Sequence, residues 1–151
     1  MIAAIDTNIL AYAVGMNDEA RRVSAVHLLR RIPAESIVLP AQVVGELYGV
    51  LVRKGGVRPG TACHVIEQFV EDYFVASTTP TVLAAALRLP VMSKVSIWDS
   101  IVMATAAEAG CDLLLTEDMG HGFTWSGVTV VNPFAIPRHQ SLEALLIDPP
   151  S

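Results

Sequence analysis

The chain has 151 residues, 52% of them hydrophobic and 17% charged, which suits one compact domain that buries roughly two-thirds of its unfolded surface. Ten Lys and Arg against 15 Asp and Glu leave a net charge of −5, so the bulk charge excludes a polycationic nucleic-acid coat protein, and any polyanion must be held by local basic groups or by metal ions. No apolar run approaches the roughly 20 residues of a membrane span, and the opening MIAAIDTNIL lacks the basic flank and cleavage site of a signal peptide; a soluble cytoplasmic protein is expected.

Short apolar runs alternate with helical patterns. Met1–Ile5 reads as a strand, followed by a short helix at Asn8–Gly15 and a longer one at Asp18–Arg31 with Val23, Val26, Leu28 and Leu29 at helical spacing. Ser36–Leu39 is a second strand, and Ala41–Arg53 a helix with Val43, Leu47, Val50 and Leu51 on one side. A helix at Thr61–Asp72, a strand at Val75–Thr78 and helices at Thr81–Leu89 and Ile97–Ala109 continue the series, the last stopped by Gly110. Strands at Leu113–Thr116 and Val128–Val131 close it, and the proline-bounded tail after Pro133 carries Leu142, Leu145 and Leu146 in an amphipathic pattern suited to packing or dimer contact. Such alternation predicts a doubly wound α/β sheet, whose ligands sit beyond the carboxyl ends of the strands. Cys63 and Cys111 have no metal-binding spacing and are expected to be reduced core residues.

Four acids fall where that rule directs attention. Asp6 follows the first strand directly, and Asp118 follows the run Leu113–Thr116 in LLLTEDMGHG, whose glycines permit a mobile loop. Asp99 shares a helix face with Val102, Met103 and Ala106, and Glu46 lies close to the buried side of its helix. Singly, each has an ordinary structural role open to it: a helix cap for Asp6, a turn for Asp118, a neutralised or arginine-paired core carboxylate for Glu46 and Asp99. Together they lack any lysine or arginine at matching positions, and two like charges about 4 Å apart repel by roughly 4 kcal/mol at an effective dielectric near 20. A cation must offset that repulsion, and an all-oxygen donor set favours Mg²⁺ or Mn²⁺, one ion or two. Such a cage suits displacement at a phosphodiester. Thr7, Asn8 and Thr116 are candidates to orient a ligand, alongside their capping and turn roles. Lys94 is the preferred substrate contact, ahead of Arg21, Arg22, Arg53 and Lys54; Glu117 and His121 are further candidates in the same loop.

In these residues the sequence resembles the PIN-domain nucleases, and among them the VapC-type toxins of toxin–antitoxin pairs. The resemblance runs from Met1 to Phe134 and rests on IDTNIL with Asp6, Glu46 in VVGEL, SIWDSIVMATAAEAGCDLLLTEDMGHG with Asp99 and Asp118, and the closing VVNPF. It implies a three-layer sandwich with a parallel sheet of about five strands, with residues 1–134 as the nuclease domain and 135–151 as an extension packing on that domain or on a dimer. It also implies Mg²⁺ or Mn²⁺ held by Asp6, Asp99 and Asp118 with Glu46 assisting, cleavage of RNA, a homodimer and a cognate antitoxin. A stand-alone RNA-processing nuclease and a catalytically silent PIN protein are the alternatives within that resemblance. A haloacid-dehalogenase-type phosphatase needs a second Asp where Asn8 stands, and a phospho-acceptor receiver domain needs paired acids and a strand-end lysine that are missing.

Overall fold

The structure, a computed structural model of the chain, describes residues 1–147; positions 148–151 of the expected extension lie outside the described residues. Strand β1 (Ala3–Ile5) leads into helices α1 (Thr7–Ala13) and α2 (Glu19–Arg31), then β2 (Ile37–Pro40), α3 (Ala41–Arg53) and α4 (Pro59–Asp72). The series continues with β3 (Phe74–Ala76), α5 (Pro80–Ala86), α6 (Leu89–Met92), α7 (Ile97–Glu108), β4 (Leu113–Leu115), β5 (Thr124–Trp125), β6 (Val128–Val131) and α8 (Gln140–Leu145). The sheet order is β3-β2-β1-β4-β6-β5, parallel throughout except that β5 runs antiparallel to β6. Helices flank this six-stranded sheet in a three-layer α/β sandwich.

Local chemistry sets the helix ends. Asp18 caps α2 by accepting from the Arg21 amide, Ser96 caps α7 by accepting from the Asp99 amide, and Pro59 and Pro80 open α4 and α5, where a missing N–H costs nothing. Gly110 ends α7 with a φ of +74°, the left-handed geometry that favours glycine. Leu113, Leu114 and Leu115 are all buried in β4, as befits a strand covered on both faces.

Several expectations are corrected. The parallel part of the sheet has the five strands expected, and a sixth, antiparallel strand is added because the segment after the glycine loop turns back as a hairpin through Ser126 and Gly127, both at positive φ. The helix expected at Thr81–Leu89 breaks into α5 and α6, since the Pro90 ring would strike the carbonyl of residue 86 in one continuous helix. Cys63 is exposed: Ala62 is the buried residue of α4, and the next position is rotated about 100° away. Cys111 is buried, and burial raises its thiol to about 12. Val23 is 53% exposed, because α2 packs through Ala25, Leu28 and Leu29. At the other end of the chain, Leu142 and Leu145 of α8 join the main core, and the Ile147 amide donates to the Arg31 carbonyl.

The strand order places the chemistry. β1 lies between β2 and β4, so the chain winds outward in one direction to β3 and then returns to build the other half from β4. The crevice at such a reversal opens above the carboxyl ends of the two central strands. Asp6 and Thr116 immediately follow those ends.

Candidate active site

Asp6 is 7% exposed and caps α1, accepting from the Thr7 amide at 2.8 Å with Oδ1. Its other oxygen accepts from the Thr116 hydroxyl at 2.8 Å. The capping role and the site role therefore coincide in one carboxylate. Burial raises its pKa from 3.8 to about 6; the hydrogen bonds from Thr116 and Thr7 oppose that rise, and the charges of Asp99 and Glu46 add to it.

Thr116 is a hub. Its hydroxyl gives its proton to Asp6 and accepts from the Asp118 amide and from Asn8 Nδ2, each at 3.1 Å. Asn8 Nδ2 also donates to Asp118 Oδ2, while Asn8 Oδ1 is buried without a partner among the described residues. On the other flank, Glu46 accepts from the Thr7 hydroxyl and from Gln42 Nε2, both at 2.8 Å. Gln42 reaches on to the Trp98 carbonyl and so ties α3 to the start of α7. Asp99, half-buried near the start of α7, has its pKa raised by burial, lowered by a hydrogen bond with Ser96, and raised again by the charges of Glu46 and Asp118.

The fold thus brings Asp6, Glu46, Asp99 and Asp118 within electrostatic reach of one another. The ion pairs among the described residues leave all four out: they join Arg21 to Glu117, Arg22 to Glu19 and Arg138 to Glu143. As they stand, no three Asp, Glu, His or Cys side chains among the described residues converge to ligate a metal ion. Like charges with no counter-ion repel, and two of the four are held by hydrogen bonds to neutral groups, Asp118 by Asn8 and Glu46 by Thr7 and Gln42. The donor set, four carboxylates without nitrogen or sulfur, still fits a hard divalent cation that draws them together.

Lys94, Asp99, Asp118 and Phe123 line a cavity of about 410 Å³ beside these acids. Glu117 turns to Arg21 at 2.8 Å, and Arg22 to Glu19. Arg53 and Lys54 lie at the carboxyl end of α3, opposite to the end that meets the crevice. His121 Nδ1 accepts from the Asn132 amide, a loop-holding bond. Gln42 and Ser96 were missed from the sequence. Gln42 stands four residues before Glu46, the spacing of facing side chains on a helix, and Ser96 stands three before Asp99 as a cap, so both left a readable signal.

The pattern that defines the PIN domain matches residues 3–121. Curated proteins compared by sequence give no match. Among solved structures, VapC20 of Mycobacterium tuberculosis, described as a sarcin-ricin loop cleaving toxin, is similar with a TM-score of 0.63 at 22% identity over 74% of this chain and 86% of its own. FitAcB of Neisseria gonorrhoeae gives 0.70 at 21% identity over 89% and 100%, and a toxin–antitoxin complex of Klebsiella pneumoniae gives 0.68 at 18% over 89% and 99%. At these identities the likeness is one of fold.

Proposed function

The chain belongs to the PIN-domain family, and on that premise we propose that it is a metal-dependent endoribonuclease, the toxin half of a toxin–antitoxin pair. One observation carries the reading: four carboxylates lie within electrostatic reach of one another around the carboxyl ends of β1 and β4, with no basic ion-pair partner among the described residues. Mg²⁺ or Mn²⁺ held by Asp6, Asp99 and Asp118 with Glu46 assisting would supply an activated water and neutralise charge on the phosphate. The chain's own residues do the rest. Thr116 and Asn8 fix Asp6 and Asp118 relative to each other, Thr7 and Gln42 orient Glu46, and Lys94 offers a cation to the phosphate beside the cavity.

RNA as the substrate and an antitoxin as the partner are supported by the descriptions of the similar folds. An arginine presented by that antitoxin would pair with the carboxylates in place of the metal. A homodimer is supported by the exposed apolar side chains of Leu83, Val91, Met92 and Trp98 on three successive helices, with Leu87 in the turn between the first two and Val91 at 86%. The test is cleavage of end-labelled RNA with Mg²⁺ or Mn²⁺, with and without excess chelator, alongside growth on expression of the chain alone. Metal-dependent cleavage and growth arrest, both lost in Asp6→Ala, are expected. Cleavage undiminished by chelator overturns the mechanism, and RNA binding without cleavage in any metal leaves the silent PIN alternative.

A further inference from the structure

A second cavity, of about 330 Å³, lies between α2 and the segment after β6, lined among others by Arg21, His27, Arg31, Phe134, Ile136 and Arg138. Its charge runs against that of the chain. Of ten Lys and Arg in a protein with net charge −5, four (Arg21, Arg22, Arg30 and Arg31) lie on α2; two of these, Arg21 and Arg31, line the cavity, with Arg138 from the tail. Each lining guanidinium commits part of its donor fork: Arg21 to Glu117, Arg31 Nε to the Ile147 carbonyl at 2.9 Å, and Arg138 Nη1 to Glu143 at 2.9 Å. A guanidinium has five N–H donors, so among the described residues these contacts orient the forks and leave further donors for an incoming anion. The cavity is also apolar where the cations are not. Phe134 presents its ring with Arg21 stacked 4.5 Å from the centroid, and Ile136 is 97% exposed.

Position links this cavity to the carboxylates. Arg21 bridges the two: its guanidinium lines the cavity and holds Glu117, whose chain neighbour is Asp118. A strand with one phosphate at the acids therefore has its next basic landing place along Arg21. We propose that this cavity is the anchoring subsite for a nucleotide flanking the cut, its phosphates on Arg31 and Arg138 and its base against Phe134 and Ile136. Cations spaced around an aromatic face are the combination that holds single-stranded nucleic acid without reading its sequence. The inference rests on the ribonuclease reading and adds to it where the substrate is gripped.

The test uses the whole chain in an Asp99→Asn background with excess chelator, chosen to suppress cleavage, with a fluorescent single-stranded RNA followed by anisotropy across a NaCl titration. Arg31→Gln with Arg138→Gln is expected to weaken binding about tenfold and to flatten the log–log salt slope by about 1.4, two single-strand phosphate contacts at about 0.7 each. Because Arg31 and Arg138 also hold the tail, Ser24→Trp serves as a second variant. It fills the cavity from the exposed side of α2 and should weaken binding with an unchanged melting temperature. Folded variants that bind RNA as the parent does, with the same slope, overturn the subsite while leaving the ribonuclease reading intact. A fluorescent oligo-glutamate peptide that binds more tightly than RNA and is lost in the same variants overturns it in favour of an acidic peptide. A parent that neither binds nor cleaves RNA overturns both.

Discussion

Asn8 and Asp118, 110 positions apart in the chain, are joined by a 2.9 Å hydrogen bond from the amide of one to the carboxylate of the other. The same Nδ2 donates to Thr116, so one amide fixes the relation between an acid and the hydroxyl that serves the opposite acid, Asp6. A bond to a charged group contributes about 1.5–3 kcal/mol, enough for roughly tenfold or more in rate if it is needed in the transition state. Asn8→Ala should therefore lower kcat about tenfold, as should Thr116→Val. The double variant should lose less than the product of the two, because both act through one network. Strictly additive losses in steady-state kinetics would show that the two act separately.

Asp6 gives an inverted pH dependence of stability. Its pKa is 3.8 in the unfolded chain and about 6 in the fold, so the native state binds the proton more tightly. Its contribution is complete below about pH 4 and is lost as the pH rises through 6, in total about 3 kcal/mol at about 1.36 kcal/mol per pH unit. In chelator, Asp6→Asn should gain on the parent between pH 4 and pH 7 in denaturant melts, and added Mg²⁺ should restore the parent. A constant difference across that range would refute the assignment.

Asp99→Asn removes charge at nearly constant volume from a carboxylate whose pKa is raised by burial and by its acidic neighbours. Activity should fall about 100-fold or more, as when a group that stabilises transition-state charge is lost. The metal-free variant should melt at or above the parent's temperature. Unfolding with full activity in the surviving molecules would make Asp99 structural.

Glu117 is occupied by Arg21, and the pair is partly exposed, with side-chain exposures of 16% and 37%. Glu117→Gln should keep activity within a few-fold and cost at most about 1 kcal/mol. A loss as large as that of Asp99→Asn, with weaker Mn²⁺ binding by calorimetry, would move Glu117 into the metal cage.

The strand ends and their acids were legible because buried parallel strands are short apolar runs, and Asp6 follows one of them directly while Asp118 lies three residues past another. Ala41–Arg53 was legible to the residue, its Val43, Leu47 and Leu51 repeating every four positions on the buried side. What escaped depended on contacts between distant segments. Gln42 matters because its amide spans from Glu46 to the Trp98 carbonyl, a partner set by tertiary packing. The short strand at Thr124–Trp125 has two residues and no period of its own; it exists because β6 offers it a free edge. Val23 was misplaced because helical spacing identifies a face only to within a neighbouring position, and Cys63 because the usual burial of cysteine says nothing of which face of α4 packs; there Ala62, one step around, is the buried residue.

The pairing of β1 with β4, Ile5 opposite Leu115, also bears on how the protein is born. Closing a loop of about 110 residues costs roughly 4 kcal/mol of chain entropy before any contact between these strands repays it. Synthesis runs from Asp6 through Glu46 and Asp99 to Asp118, so a nascent chain lacks the full set of acids until the segment after β4 has been made. The crevice between the two central strands is therefore complete only once β4 has paired with β1 across that whole span of chain.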